Sequence, residues 1–206
     1  FPPTEGQILF QGTEITGKST HEISRLGLGR TFQNIKLFNA LTVEENLMVG
    51  GHMAYAKAGI ASFFFDIGRA NREEKALKEA AEEILESMKL KDIAKRQVGG
   101  LPYGMLKMVE LARTMMTRPK LILLDEPAAG LNPSERRDLI EILMHIFDNG
   151  IDLFLIEHNM DVVMNISHKI TVINFGSKIA EGKPVDIQNN PEVIRAYLGD
   201  RYQQKA

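Results

Sequence analysis

The second half of the chain alternates short apolar runs with a longer stretch that is apolar on one helical face. The runs KLILLD (120–125) and DLFLIEH (152–158) predict two strands buried on both faces of a parallel sheet. Between them, Asn132 before Pro133 predicts a helix start. The apolar positions that follow share one face of that helix: Leu139, Ile142, Leu143, Ile146 and Phe147. The order strand, helix, strand predicts a βαβ unit.

The last part of the chain follows two different patterns. KITVINF (169–175) and SKIAEG (177–182) predict two strands that form a hairpin across Gly176. A terminal helix is predicted to begin near Pro191 and to continue through Leu198.

The middle of the chain is helical in pattern. Helical spacing of apolar residues predicts one helix over about 70–90 and a second from Pro102 to Met116, closed by Pro119. No strand pattern occurs between Ile35 and Pro119. We therefore expect a helical subdomain over 35–119, inserted in an α/β core made of 1–34 and 120–206.

Composition excludes several classes of protein. The chain is 44% apolar and 25% charged, which is typical of a globular domain, and it has no cysteine for disulfides or thiolate metal sites. A net charge of −2 gives no reason to expect a nucleic-acid partner. No apolar run approaches the roughly 20 residues of a membrane-spanning helix.

The acidic pair that ends LILLDE carries the most chemical information. The pattern places Asp125 at the carboxyl end of a parallel strand, where α/β sheets bind ligands. A carboxylate there can hold Mg²⁺, commonly through water. Glu126, one residue later, is placed to orient or deprotonate a water that attacks a phosphate.

Three other stretches agree with this interpretation. TFQN places Gln33 after a short strand-like segment, where its amide can bind a water or a metal-bound oxygen. LPYGM (101–105) places Gly104 in the first turn of a helix, whose free N–H groups can meet an anion. LIEH places His158 directly after the second strand, within reach of a phosphate. Each of these signals is weak by itself. Their order and spacing together indicate a nucleotide phosphate site.

With these motifs the chain resembles the ATP-binding subunits of ABC transporters over essentially its whole length. Gln33 matches the Q-loop, 101–105 the signature, LILLDE the Walker B strand, AGLN the D-loop and His158 the switch histidine. DEPAAGLNP and NPEVIRAYLGD most resemble the subunits of branched-chain amino acid importers. The implied fold is a P-loop NTPase-like α/β ABC ATPase core with an inserted helical subdomain.

The resemblance also implies roles for single residues in binding and hydrolysing ATP with Mg²⁺. Glu126 would be the general base, Asp125 and Gln33 would hold Mg²⁺, and His158 would contact the γ-phosphate. The remaining nucleotide-binding residues would act across a head-to-tail dimer: Leu101, Pro102, Tyr103, Gly104, Met105 and Asn132. The serine and glutamine of the usual signature are missing, which leaves phosphate contacts to the backbone near Gly104. The usual D-loop acid is replaced by Asn132, which lacks charge.

The implied partners are transmembrane permease subunits, a second ATP-binding subunit and, indirectly, a periplasmic or extracellular substrate-binding protein. Nucleic acid is not among them, and the expected location is cytoplasmic, on the inner face of the cell membrane. A permease would dock in a groove beside the Q-loop, which we expect to be lined by five apolar residues: Leu37, Phe38, Leu41, Val43 and Leu47.

The stretch GTEITGKS (12–19) fits the phosphate-loop pattern G-x-x-x-x-G-K-[ST], but its surroundings do not. QILFQ before it alternates like a half-exposed strand, and the helix after it can run only from Thr20 to about Leu26. Glu14 would also face the phosphates. We interpret the match as coincidental and expect the true phosphate loop to lie before Phe1, so that this chain is N-terminally incomplete and by itself inactive.

Alternatives remain open at this point. The same ATPase role could serve lipopolysaccharide export or urea import, because the cargo is chosen by other subunits. A DNA-repair or chromosome-organising ATPase head is disfavoured because only 67 residues separate Gln33 from Leu101, without sustained heptads. A nucleotide-free interaction module would not need the Asp125–Glu126 pair and His158.

Overall fold

The computed structural model describes residues 3–31, 35–55 and 67–198. Within these ranges the strands are β1 (Leu9–Phe10), β2 (Thr13–Glu14), β3 (Leu28–Arg30), β4 (Leu121–Asp125), β5 (Asp152–Ile156), β6 (Ile170–Asn174) and β7 (Ser177–Gly182). The α-helices are α1 (Thr20–Arg25), α2 (Val43–Tyr55), α3 (Ile67–Ser87), α4 (Tyr103–Met115), α5 (Pro133–Asp148), α6 (Met160–Ile166), α7 (Pro184–Gln188) and α8 (Pro191–Leu198). In the described part of the chain, none of these helices combines the length and apolar character needed to cross a bilayer.

A parallel three-stranded sheet positions the predicted acidic pair. Strand β4 lies between β3 and β5, and it pairs with β5 from Leu121 opposite Asp152 to Asp125 opposite Ile156. Helix α5 connects these two strands, so the predicted βαβ unit is present. Parallel pairing places the carboxyl ends of β4 and β5 side by side, and with them the residues that follow each strand.

Local sequence explains where α5 begins and ends. The Asn132 side chain accepts the N–H groups of Ser134 and Glu135, and the Glu135 carboxylate accepts the Asn132 N–H in return. This capping box satisfies N–H groups that the helix cannot pair internally. At the other end, Gly150 has a φ of +85°, the left-handed conformation that commonly ends helices.

The prediction that both strands are buried on both faces is wrong for β5. In β4, the inward-facing Ile122 and Leu124 are almost fully buried. In β5, Phe154 and Ile156 remain 56% and 57% exposed. Successive strand residues point to opposite faces, so Leu153 and Leu155 pack against the core and their neighbours do not. As an edge strand of the described sheet, β5 is covered on one face only.

Helices α2, α3 and α4 pack around their own apolar residues, in a cluster continuous with the inner face of the sheet. The most deeply buried members in these helices are Val43, Leu47, Ala81, Leu85, Val109 and Ala112. Helices α3 and α4 match the helices predicted over 70–90 and 102–116, whereas α2 was not predicted. Among the described residues between 35 and 119, extended pairing is limited to an isolated bridge between Thr42 and Gln97. The boundaries of the two subdomains remain a prediction.

Two hairpins lie outside the parallel sheet. Strands β6 and β7 pair antiparallel across Phe175 and Gly176, as predicted, and β1 and β2 pair across Gln11 and Gly12. All four turn residues have positive φ, between 44° and 80°. This backbone matches the twist of two-residue hairpins, and glycine adopts it without steric cost.

Candidate functional site

Asp125 is the last residue of β4, and its carboxylate is partly exposed at the carboxyl end of the sheet. The guanidinium of Arg30, from the end of β3, lies 3.3 Å from its Oδ2. A positive charge is therefore already accommodated beside this carboxylate. This position, at the end of a central parallel strand, is the one predicted from the sequence.

Glu126 occupies the turn that follows β4. Its φ is +48°, an uncommon conformation for a residue with a Cβ, which costs about 1–3 kcal/mol and persists only where the surroundings impose it. Its N–H donates to the Ile156 carbonyl at 2.9 Å, which attaches the turn to the end of β5.

His158, which the sequence places directly after the second strand, lies against Glu126. The Nδ1 atom of His158 is 3.6 Å from Oε1 of Glu126, and the two side chains are 74% and 33% exposed. An acid–base side chain and an imidazole therefore face the same solvent-accessible space at the ends of neighbouring strands. A water or a phosphate oxygen in that space could contact both side chains.

Glu157 is a residue of this site that the sequence interpretation missed. Its Oε1 accepts the N–H of Ala128 at 2.8 Å, and its Oε2 accepts the N–H groups of His158 and Asn159 at 2.9 and 3.0 Å. One carboxylate thus joins the turn after β4 to the turn after β5. The sequence signal for this residue was its position between a predicted strand and Asn159, whose side chain caps α6.

Lys107 was also missed, because it lies in the interior of α4. Its Nζ donates to the backbone carbonyls of Glu126 at 3.0 Å and Pro127 at 2.9 Å. Burial lowers the pKa of Lys107, and the negative charges of Glu157, Glu110 and Glu126 oppose that shift.

The predicted signature stretch forms the start of α4. Leu101 and Gly104 are buried, whereas Pro102, Tyr103 and Met105 are exposed. Pro102 takes the N-cap position and no side chain caps the helix, so N–H groups of the first turn are available to an external acceptor. An exposed, uncapped helix start is where an anion is most easily bound.

Gly104 allows this helix start to lie directly against the Glu135 side chain of α5. A Cβ at this position would come within 2.5 Å of the Glu135 carboxylate oxygen. Tyr103 packs beside Gly130, where a Cβ would lie 2.9 Å from the tyrosine ring. The signature stretch therefore lies beside the predicted D-loop of the same chain.

The remaining predicted site residues have different outcomes. Asn132 is exposed, and its side-chain oxygen caps α5; whether its amide acts across a dimer remains a prediction. Gln33 lies outside the described residues. In the predicted docking groove, Phe38 is 52% exposed, but Val43 and Leu47 are fully buried. The prediction is thus wrong for those two residues: they lie on the face of α2 that packs into the helical cluster.

The donor set fits Mg²⁺ in the way nucleotide sites use it. Among the described residues, no group of three or more acidic or histidine side chains is arranged to hold a metal ion by itself. Mg²⁺ in such sites is held by one or two carboxylates together with the phosphates and water, so a single aspartate can suffice on the protein side. Asp125 has the required carboxylate, and the neighbouring Arg30 shows that its surroundings accept a cation.

The residues of GTEITGKS form a hairpin strand and a turn, as expected for a coincidental match. Thr13 and Glu14 belong to β2, and the Thr16 hydroxyl accepts the Ile8 N–H at 2.8 Å. The Ser19 hydroxyl is paired with Glu22 in a capping box at the start of α1, a helix of six residues. These groups are bound within the chain, so the stretch does not form an anion-binding loop.

Comparison with protein families gives two matches. Residues 1–129 match the family described as ABC transporter, and residues 177–203 match the family described as branched-chain amino acid ATP-binding cassette transporter. The first match includes the predicted signature and the Walker B strand. The second match begins at β7, the second strand of the β6–β7 hairpin.

Individual proteins agree with these families. The chain is 43% identical over 201 residues to the high-affinity branched-chain amino acid transport ATP-binding protein BraF of Pseudomonas aeruginosa. The aligned region covers 97% of this chain and 78% of that protein. It is 41% identical, with the same coverage, to LivG of Escherichia coli, another high-affinity branched-chain amino acid transport ATP-binding protein.

Solved structures show the same relationship. A nucleotide-free ATP-binding cassette from an ABC transporter superposes with a TM-score of 0.79 at 32% identity, over 97% of this chain and 79% of that chain. A cassette in its ADP conformation superposes with a TM-score of 0.80 at 32% identity and the same coverage. The resemblance inferred from the motifs is confirmed: the chain belongs to the ATP-binding subunits of ABC transporters.

Proposed function

We propose that this chain is the subunit that hydrolyses ATP to power an importer of branched-chain amino acids. The main support for this chemistry is that Nδ1 of His158 lies 3.6 Å from Oε1 of Glu126. Glu126 directly follows β4, the strand that ends in Asp125. The names of the relatives, BraF and LivG, support the transported substrate. Within this family, the site supplies what phosphoryl transfer requires, which is positioning and electrostatic stabilisation.

Glu126 is proposed as the general base that takes a proton from the attacking water. His158 donates a hydrogen bond to the γ-phosphate and keeps the water and the phosphate in line. Asp125, with Gln33, would hold Mg²⁺, which neutralises charge on the phosphates when bound. The structure supports this assignment by placing the Glu126 and His158 side chains at adjacent strand ends, in the same partly exposed space.

A second ATP-binding subunit is proposed to complete the site. The stretch from Leu101 to Met105 would present its backbone N–H groups to the γ-phosphate held by the other subunit, with Asn132 at the interface. The uncapped first turn of α4 and the exposed side chains of Tyr103 and Met105 support this role. Such an arrangement makes hydrolysis depend on closure of two subunits.

The permease is proposed to dock on the segment around Phe38, which follows the predicted Q-loop. Phe38 is half-exposed and Val49 on α2 is exposed as well, so the surface has an apolar component. Docking there would place the subunit on the cytoplasmic side of the membrane, with the substrate-binding protein on the opposite side. The helical subdomain (35–119) would then transmit motion between the permease and the α/β core (1–34 and 120–206).

The change Glu126→Gln tests this function in the full-length subunit assembled with its membrane partners. We expect ATP binding to persist and hydrolysis to be nearly abolished, because the amide keeps the shape of the side chain and cannot accept the proton. Steady-state phosphate release and nucleotide binding measure the two effects separately. Uptake of labelled leucine into proteoliposomes, with urea as a competitor, tests the substrate.

Glu192→Gln is a matched control, because Glu192 is an exposed glutamate on α8, outside the proposed site. It should leave turnover unchanged. Turnover of Glu126→Gln within a few-fold of the unmodified protein would remove Glu126 from the role of base.

A further inference from the structure

Helix α4 contacts the catalytic turn through one side chain. Lys107 projects from the second turn of the helix, and its Nζ lies 3.0 Å from the carbonyl oxygen of Glu126 and 2.9 Å from that of Pro127. We propose that Lys107 is a positioning residue for hydrolysis: its ammonium fixes the turn that presents the Glu126 carboxylate. This inference rests on the proposed role of Glu126 as general base.

The turn that Lys107 contacts has an uncommon backbone conformation. Glu126 has a φ of +48°, outside the range of an extended strand, and its carbonyl is one of the two that Lys107 binds. That carbonyl also accepts the Ala129 N–H at 3.1 Å, as part of the turn itself. Pro127 has no N–H and can contribute only its carbonyl, which Lys107 binds. The lysine thus bonds to both peptide groups that immediately follow the catalytic carboxylate.

A second charged group holds the same turn from the opposite side. Glu157 accepts the Ala128 N–H at 2.8 Å, while Lys107 binds the two carbonyls before it. A cation on carbonyl oxygens and an anion on an amide N–H match the direction of the peptide dipoles. Charge-assisted hydrogen bonds of this kind are stronger than neutral ones. The negative charge of Glu157 also favours the charged form of Lys107, whose pKa burial lowers.

Through α4, Lys107 also links the turn after β4 to the signature stretch of the same subunit. The helix begins at Tyr103, in the stretch proposed to meet the nucleotide of the second subunit. The Lys107 ammonium also lies 5.5 Å from the centre of the Tyr103 ring, at cation–π distance. The geometry of Glu126 is therefore tied to the signature of its own subunit by one helical turn.

Lys107→Met removes the ammonium and keeps an unbranched apolar side chain of similar length. In the full-length subunit with its membrane partners, we expect kcat for ATP hydrolysis to fall about 10- to 100-fold, the range for losing charged hydrogen bonds. KM for ATP should stay within about threefold, because the lost contact orients the base and does not bind the nucleotide. Lys107→Arg, which keeps the charge and the donors, should recover most of kcat.

Lys75→Met is the matched control, since Lys75 is an exposed lysine on α3 that pairs only with Glu79 among the contacts described. It should leave kcat and KM unchanged. Thermal midpoints are recorded for every variant, and kinetics are measured well below them. Should Lys107→Met fail to fold, Lys107→Gln carries the same expectation for kcat.

The double variant Lys107→Met with Glu126→Gln separates positioning from a general structural effect. If Lys107 acts through Glu126, the double variant hydrolyses ATP as slowly as Glu126→Gln alone, and no slower. Losses that multiply, or a kcat of Lys107→Met within about threefold of the unmodified protein, would overturn the proposal. A fully active Glu126→Gln would instead overturn the proposed function, whatever the lysine variants do.

Discussion

Asn46 provides the most quantitative prediction about the segment proposed to meet the permease. This residue of α2 is 0% exposed, and its side chain is bonded to the loop before the helix. Its Oδ1 accepts the Phe38 N–H at 2.9 Å. Its Nδ2 lies within hydrogen-bond distance of the carbonyls of Phe38, Leu41 and Thr42. The change Asn46→Ala removes all of these bonds together.

The loss of unfolding free energy in Asn46→Ala depends on which backbone groups lose their only hydrogen-bond partner. The three carbonyls each keep a backbone donor: the N–H of Leu41 for Phe38, that of Val98 for Leu41, and that of Asn46 for Thr42. The Phe38 N–H loses the acceptor that the side chain provided. An orphaned donor costs about 1–3 kcal/mol in a buried site, and the partly buried Phe38 N–H belongs toward the lower end of that range; the cavity left at the fully buried Asn46 adds to the cost. We therefore expect the free energy of unfolding to fall by roughly 2–3 kcal/mol.

Thermal or urea unfolding of the purified subunit measures this effect. For a domain of this size, a loss of 2–3 kcal/mol lowers the thermal midpoint by roughly 4–12 °C. Asn165→Ala is the control, because the exposed Asn165 makes one side-chain hydrogen bond, to the carbonyl of Asp161. That change should alter the free energy of unfolding by less than about 0.5 kcal/mol.

Asn46→Asp distinguishes hydrogen bonding from packing, because the two side chains have nearly the same shape. A carboxylate can still accept the Phe38 N–H, but it cannot donate to three carbonyls, and burial raises the pKa of the introduced acid. The raised pKa adds a destabilisation that is absent at low pH and grows as the pH rises, on top of the pH-independent loss of amide N–H donors. Equal stability of Asn46→Asp and the unmodified protein at pH 7 would refute the assignment.

The other predictions concern the docking segment and the coincidental motif. Phe38→Asp should lower the amount of substrate transported per ATP hydrolysed while the subunit stays folded, whereas Leu47→Asp, at a fully buried position, should prevent folding. Unfolding of Phe38→Asp would assign that side chain to the core. Lys18→Ala should change ATP affinity by less than about threefold, as for a surface lysine, and loss of nucleotide binding would contradict our interpretation of residues 12–19.

Elements with a strong local pattern were predictable from the sequence. The capped start of α5 at Asn132, the run that forms β4 and the hairpin across Gly176 all combine an apolar period with a turn or cap residue. Helix α2 carries a comparable signal in Thr42 and Glu45, which form a capping box. The apolar residues beside it, Val43 and Leu47, fit a partner surface as well as a helix face, so the pattern alone does not distinguish the two.

Burial was less predictable than secondary structure. An apolar run such as the one containing Phe154 and Ile156 has the same composition whether one face or both are covered, since coverage depends on what packs there. The same limit explains the docking groove: Phe38 and Val43 are both apolar, yet Phe38 stays half-exposed before α2, whereas Val43, at the start of α2, is buried in the helical cluster. Sequence period fixes the faces of a helix but does not say which neighbour each face will contact.

The candidate site contains two kinds of residue. Some can be predicted from their residue type, and others contact the turn through its main chain. Asp125, Glu126 and His158 were predicted as site residues because their side chains can hold a metal, take a proton or bind a phosphate, and because their spacing resembles that of ABC ATPases. Lys107 and Glu157 bind backbone carbonyl and N–H groups, which are common to nearly all residue types, so the sequence of the turn does not predict these contacts. Only the three-dimensional contacts identify them as neighbours of the reaction.

Helix α4 connects the two regions that the proposed function requires to communicate. Near its start, Lys107 holds the carbonyl of Glu126, and near its end Arg113 donates to the carbonyl of Lys36, two residues before Phe38. The two side chains are six residues apart, about 9 Å along a helix that rises 1.5 Å per residue. Displacement of the docking segment would thus act on the same rigid helix that holds the catalytic turn. Phe38→Asp perturbs one end of this connection and Lys107→Met the other, so their effects should appear in different quantities: transport per ATP for the first, and kcat for the second.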